Sequence, residues 1–342
     1  MPNITNYATS LIARQLKGIN DAVIDMNEYS RWLKKKGRIK YGNGGDSIKW
    51  RVYVDEPQVF GSTTDTGSRT AFTLDNFVEA ELRYAQYDGE IMTFMMQDMR
   101  NKNGEENVKL FDNLMESMNV FKQSVADTLG RHLYDQGSTF GNNRGTNILG
   151  LDEIVLATGT YAGLSRTTYA NWQSQTEAIS NFEVDTDGND VPEGLEGMRS
   201  LWLKCSAGIG TSEGSPGSVS SDLASTRNKP DGIFTTRALY LNYENCLTPQ
   251  QRYTNSSTKD PETELLFSST PIMWDNFCLA GKMYFLNSKF LNVDCVTDTL
   301  FYQDPDFQGL PVSGRNAKTW TILTQLQHYS RSPRYLGVAT VS

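Results

Sequence analysis

Two histidines, His132 and His328, and four cysteines, Cys205, Cys246, Cys278 and Cys295, are all that this sequence offers for imidazole, thiol or zinc chemistry. The cysteines show no CxxC spacing, and neither histidine has a partner at ligand or nucleophile spacing, so a zinc site or a thiol–imidazole pair is not expected. Few cysteines in a long chain read as buried free thiols of a reducing compartment, where each acts as a small hydrophobe. His132 closes a helical pattern beside Asp135, where a cation would complement the C-terminal dipole. His328 falls on an apolar strand face, and both histidines read as structural.

Two motif matches fail on context. Gly210-Thr211-Ser212-Glu213-Gly214 has the letters of a nucleophile elbow, but that elbow needs an apolar strand before the serine and a helix after it. A loop rich in Ser, Gly and Pro follows instead. Asp185, Asp187, Asn189 and Glu196 match the ligand spacing of a calcium loop, yet Asp190 stands where the sharp turn needs glycine and Pro192 where an aliphatic residue belongs. An acidic solvated loop is the expectation, with adventitious divalent-ion binding left open. No phosphate-cradling loop or dinucleotide fingerprint is present, so no catalytic group, no cofactor and no metal is expected.

The composition is that of a folded protein: 342 residues, 38% hydrophobic, 21% charged and 11% aromatic. The apolar runs are shorter than the roughly 20 residues of a membrane span, and no basic region followed by an apolar run opens the chain, so a soluble protein with little or no processing is expected. A net charge of −8 disfavours a dedicated nucleic-acid binder. The one basic cluster, Arg31 to Arg38 (RWLKKKGR), reads as a solvated helix end, with an acidic or nucleic-acid partner as the alternative.

What elements would carry these residues? Leu11, Ile12, Leu16, Ile19, Val23, Ile24 and Met26 recur at helical spacing and predict an amphipathic N-terminal arm. After Gly42, Gly44 and Gly45 the period becomes two. Ile48, Trp50, Val52 and Val54 alternate with Lys49, Arg51 and Tyr53, a half-buried strand whose return is residues 74 to 84, with a polar tip from Gly61 to Thr70. A two-stranded ribbon of about forty residues is marginal alone and needs either a neighbour or its own core to lie on.

Asn103 with Glu106 then forms a capping box. An apolar stripe follows at Val108, Phe111, Leu114, Met115, Met118, Phe121, Val125, Leu129 and Leu133, which predicts a helical rod of roughly 45 Å ending before Gly137. Leu151 to Ala157 reads as a strand, Leu195 to Cys205 as a helix, Ile233 and Phe234 as a strand core, and Ala238 to Tyr243 as the start of a helix. Residues 211 to 228 read as a Ser/Gly-rich loop. Two β-rich stretches close the chain, Leu265 to Val293 and Trp320 to Ala339, with Trp320, Ile322, Leu326 and His328 on one face of the second. This order lacks βαβ alternation, and the fold class is α+β.

Four segments resemble major capsid proteins of tailed bacteriophages with the Hong Kong 97-type fold. They are residues 150–173, with Gly163, Arg166, Thr167, Tyr169 and Trp172 in succession; residues 230–253; residues 271–293; and Tyr335 to Val338. The resemblance implies an N-terminal arm (1–40) and an extended β-hairpin loop (41–90). A peripheral domain (91–160) follows with a spine helix over about 103–136, then an axial domain (161–310) and a return strand (311–342). It implies copies assembling as pentamers and hexamers into the icosahedral shell that encloses double-stranded DNA in a virion, formed in the host cytoplasm as a procapsid and expanded during DNA packaging, and not an enzyme. An encapsulin-like compartment or a phage tail protein is the alternative. With about 40 residues before the hairpin, a separate scaffolding protein is expected, beside a portal, with a decoration protein as an optional further partner. A covalent cross-link between subunits finds no matching residues. Candidate contacts between copies are Trp50, Arg51, Tyr53, Phe60, Arg69 and Phe72 on the hairpin, and Arg31 and Lys35 on the arm.

Overall fold

The computed structural model describes residues 24–25, 27–53, 77–94, 107–135, 147–179, 182, 191–207, 228–247, 265–302, 308–311 and 317–341. In chain order the helices are α1 (Glu28–Lys35), α2 (Asn107–His132), α3 (Leu151–Ile154), α4 (Glu193–Ala207) and α5 (Arg237–Cys246). The early strands are β1 (Ile39–Lys40), β2 (Ser47–Tyr53), β3 (Phe77–Arg83), β4 (Ala85–Phe94), β5 (Thr160–Tyr161), β6 (Leu164–Ser165) and β7 (Gln175–Ile179). The later ones are β8 (Gly232–Thr235), β9 (Leu265–Phe267), β10 (Thr270–Trp274), β11 (Lys282–Leu286), β12 (Leu291–Cys295), β13 (Gln308–Pro311), β14 (Ala317–Ser330) and β15 (Gly337–Val341). The chain divides into two compact units. Unit 1 is Met1–Asp46, Arg83–Gly150 and Asn292–His328; unit 2 is Ser47–Leu82, Leu151–Leu291 and Tyr329–Ser342.

Unit 1 is built on β14. Residues 317–326 pair antiparallel with β4, Lys318 to Trp320 pair with β13, and β12 joins the same sheet with β1 parallel beside it. Along β14 Trp320, Ile322, Thr324, Leu326 and His328 are buried, as the sequence pattern predicts for one face. The long helix α2 packs beside this sheet. At 26 residues it spans roughly 39 Å, and of the expected stripe Met118, Leu129 and Leu133 are buried, with Phe121 and Val125 half-buried. The capping box at Asn103 and Glu106 lies outside the described residues. Contact between helix and strand is close at Gly89, where a Cβ would stand 2.3 Å from a ring carbon of Phe121.

Helix α1 is capped by Asn27, whose side chain accepts from the N–H groups of Tyr29 (2.8 Å) and Ser30 (3.3 Å). Tyr29, Trp32 and Leu33 are buried, each contributing roughly 1.5–3 kcal/mol of apolar burial. The last part of the expected arm is therefore core. Residues 1–23 lie outside the described residues.

Unit 2 holds a six-stranded sheet in the order β7-β15-β11-β8-β10-β9. One face carries Ile233, Ile272, Met283, Phe285 and Ala339, which meet Met198, Leu201 and Cys205 of α4 and Leu239 and Tyr243 of α5 in a single core. On the opposite face Tyr284 donates to Asp152 of α3 (3.1 Å), which is also ion-paired with Lys282. Residues 151–157, expected as a strand, open instead with a helical turn. Leu151, Ile154 and Val155 are all buried at i, i+3 and i+4, and a run this short carries too little periodicity to separate the two.

The segment 41–90 also divides. Strands β2 and β3 pair with each other, whereas β4, which sequence reading did not separate from the hairpin, belongs to the sheet of unit 1. At the other end of the chain β15 lies in the sheet of unit 2, antiparallel to β11 and parallel to β7.

Candidate assembly surfaces

The base of the hairpin rests on a platform made by residues 151–174 of unit 2. Strands β5 and β6 form a tight hairpin through Ala162 (φ 50°) and Gly163 (φ 81°), a turn with two left-handed residues that suits the twist of the strands. Arg166 is buried, and its guanidinium donates to Glu153 O (2.9 Å), Ile154 O (2.7 Å) and Thr158 O (3.2 Å). It thereby satisfies carbonyls left open at the end of α3. Trp172 donates through Nε1 to Tyr161 O (3.1 Å), and the Tyr161 hydroxyl donates to Ser330 O (3.0 Å) while accepting from Ser330 N–H (2.7 Å). Burial holds the Tyr161 hydroxyl well above its ordinary pKa, so it stays neutral.

Trp50 lies on this platform, its ring centroid 6.4 Å from that of Trp172 and 5.3 Å from that of Tyr329. Expected among the contacts with sister copies, it is half-buried within its own unit. Glu81 N–H donates to Ala162 O (3.1 Å) and ties β3 to the same turn. The outer face of the ribbon carries Lys49, Arg51, Phe77, Glu79 and Glu81, all exposed. Lys49 bridges Glu79 and Glu81 at 3.4 and 3.5 Å, and Glu81, then Glu79, raise its pKa. The side chain of Tyr53, and Phe60, Arg69 and Phe72 at the tip, lie outside the described residues, as do Asp185, Asp187 and Asn189 of the calcium-like loop and the Gly210 to Gly214 match. Glu196 stands in the first turn of α4.

In unit 1 Arg31 and Lys35 are exposed on α1, with Lys34 and Lys36 beside them. Arg31 pairs with Glu28, and Lys34 with Asp25 at 3.6 Å, which fits the solvated helix end read from the sequence. The outward side of the β4/β14 sheet shows Gln86, Asp88 and Glu90, together with Leu323 and, bridged to it, Tyr302. The last two are 40% and 43% exposed. In unit 2 Leu203, Leu241 and Trp274 are exposed as well. Sequence reasoning did not single these out; the available signal was a large apolar residue off the buried stripe of its own element, as at Leu323 between Ile322 and Thr324.

Both histidines are built into unit 1. The Nδ1–H of His328 donates to Leu149 O (2.9 Å), so Nε2 is left to accept from the Tyr29 hydroxyl (2.8 Å). Burial lowers its pKa to about 4. The Tyr87 hydroxyl accepts from Ile148 N–H (3.0 Å) and shares a hydrogen bond with His132 Nδ1 (2.9 Å). Partial burial lowers the pKa of His132 against the opposing pull of Asp135, at a helix end where the sequence had pointed to a favourable place for a cation. Cys205, Cys278 and Cys295 are buried free thiols, with Cys295 pushed up to about 12 by burial. Among the described residues no three His, Cys, Asp or Glu side chains are grouped to hold a metal ion, and no helix is long and apolar enough to cross a membrane.

No family model and no curated protein matches the sequence. Solved structures do match over nearly the whole chain. The capsid asymmetric unit of cyanophage A-1(L) aligns with a TM-score of 0.59 at 16% identity, over 89% of this chain and 90% of that one. This chain has a phage capsid fold. The capsid of a native GTA particle shares it (TM-score 0.54, 7% identity, 91% and 90% coverage), as does the capsid of Myoviridae phage XM1 (0.54, 12%, 90% and 91%). The α+β class and the capsid fold expected from the sequence are both borne out. Within the capsid fold, the Gly163 to Trp172 succession that carried the resemblance is the platform under the hairpin.

Proposed function

We propose that this chain is a major capsid protein, assembling as pentamers and hexamers into the icosahedral shell that encloses the double-stranded DNA of a tailed phage. The observation that carries the reading is a capsid fold aligned over about nine-tenths of both chains. On this reading the chain resides in the virion, and in the host cytoplasm before assembly, and acts through self-association and not catalysis. The mapping that follows is residues 1–40 as arm, 41–90 as extended loop, 91–160 with the spine helix and 311–342 as peripheral parts, and 161–310 as axial domain. A separate scaffolding protein and a portal would complete the assembly.

The physics favours a role in a lattice. A ribbon whose base is seated on its own platform needs further burial for its distal part, and sister copies supply it with the avidity of a closed array. Expression with the neighbouring genes followed by electron microscopy tests the reading: closed shells of uniform diameter are expected, and small rings or a monomer at high concentration would overturn it. Removal of residues 60–70 should leave a folded, soluble subunit with shell yield down about tenfold. Undiminished yield would remove the hairpin tip from the contacts between copies.

A further inference from the structure

Two cationic side chains flank one stacked pair of rings in unit 2. Phe290 and Tyr335 lie 4.5 Å apart between centroids with planes 12° apart. Lys289 Nζ stands 5.3 Å from the Phe290 centroid, and the Arg334 guanidinium carbon 4.7 Å from that of Tyr335. The stack thus runs cation, ring, ring, cation. Two further cations stand on segments tied to this one through backbone groups: Arg331 N–H donates to Phe290 O (2.9 Å), and Lys229 O accepts from Asn287 Nδ2 (3.1 Å), with the Lys229 ammonium 5.6 Å from the Trp202 centroid. Lys229, Lys289 and Arg331 are exposed, and among the described residues none of these three is paired with a carboxylate.

Both rings are buried, at 8% and 3% exposure, so no ring face remains for a nucleic-acid base to stack on. The cluster therefore reads negative charge, from positions that the rings hold in advance. In a chain of net charge −8, the complementary surface is present on the chain itself. Asp88 and Glu90 project from one side of β4, roughly 7 Å apart, paired in register with Leu323 and Thr321 of β14. Exposed Leu323 and Tyr302 supply an apolar centre beside these acids.

We propose that the Lys289, Arg331 and Arg334 group of one copy docks on the Asp88/Glu90 strip of a second copy. The inference rests on the shell-subunit reading and adds which surfaces meet. Two different surfaces of one chain make a heterologous contact, the kind that closes rings and lattices and does not stop at a pair. Charge complementarity then sets the register of the contact as well as its rate of formation.

Paired charge reversals in the full chain, expressed with the neighbouring genes, test it. K289E/R331E and D88K/E90K should each lower shell yield about tenfold, with the subunit's melting temperature unchanged, and their combination should restore roughly half of the wild-type yield or more. Harmless single pairs, or a combination no better than either, would overturn the assignment. So would a K289E/R331E variant that assembles normally but releases DNA at lower salt, because the cluster would then be gripping phosphate. Should K289E/R331E fail to fold, K289Q/R331Q takes its place: its shells should fall apart at lower salt than wild type, and equal salt tolerance would count against the contact. A wild-type chain that forms no shells sinks the shell-subunit reading itself, which separates the two failures.

Discussion

The two sheets of this molecule are covered differently. In unit 2, β8 is buried at all four positions and β11 at the last four of its five, because α4 and α5 close one face and the segment containing Asp152 closes the other. In unit 1 the β4/β14 sheet alternates, buried toward α2 and open on the side of Gln86, Asp88 and Glu90. A half-solvated antiparallel sheet is stable with a polar outer face, but this one also exposes Leu323 and Tyr302. Unit 2 buries both faces of its central strands within the chain, although Phe77, Leu203, Leu241 and Trp274 stay exposed elsewhere in the unit, while the sheet of unit 1 keeps a mixed apolar and acidic face available to a partner. The polar interiors differ too. Unit 2 relies on a guanidinium, which is charged at every ordinary pH, and unit 1 on an imidazole that must stay neutral.

Replacement of Arg166 by Met tests the first interior and carries the largest expected effect. The carbonyls of Glu153, Ile154 and Thr158 lose a charged donor, with Ile154 O keeping the Ser174 hydroxyl (3.2 Å), and the buried guanidinium's packing is lost with it, so a cost on the order of 3 kcal/mol is expected. Denaturant unfolding of the unassembled subunit would read it, with hydrogen exchange accelerating in unit 2 and not in unit 1. A cost near 1 kcal/mol would mean that water reaches those carbonyls, and the contrast between the interiors would narrow.

Acid should act on the other interior. Burial lowers the pKa of His328 in the folded state to about 4, against roughly 6.5 in an unfolded chain. Below the latter value the unfolded state binds the proton and the native state does not, so this group's contribution is fully present above pH 6.5 and declines as the pH falls toward 4. The loss by then is up to about 3 kcal/mol. Protonation would place a cation against the Tyr29 hydroxyl and loosen α1 from β14. H328Q should be less stable at pH 7 yet flatter between pH 6.5 and 4; an equal slope in both proteins would remove the histidine from the account.

How much of this was legible in the residues depended on period and length. The alternation at Ile48, Trp50 and Val52, the face of Trp320, Ile322 and Leu326, and the stripe through Met118, Leu129 and Leu133 are long enough for pattern to decide, and the structure follows them. Leu151 to Ile154 was too short, and helix won through burial at i and i+3. The break between β3 and β4 at Tyr84 left no mark, because both strands alternate and only their pairing partners differ. Of the assembly surfaces, the basic face of α1 and the charged face of the hairpin were readable locally. The Lys289 to Arg334 stack was not, since it joins residues from separate segments, and neither was the acidic strip, whose exposure depends on which side α2 covers.

That covering is itself testable at Gly89, where the smallest of these effects is expected. A Cβ there would stand 2.3 Å from one Phe121 ring carbon and 2.8 Å from another, so the ring must move before any side chain fits. Since the obstacle is the far end of a side chain and not backbone, G89A should cost only about 1–2 kcal/mol. In an F121L background the same substitution should cost little, leaving a coupling of at least roughly 0.5 kcal/mol in a double-mutant cycle of urea unfolding. If α2 instead rides loosely on the sheet, G89A will cost the same in both backgrounds, and the inner face of unit 1 would then be no more closed than its outer one.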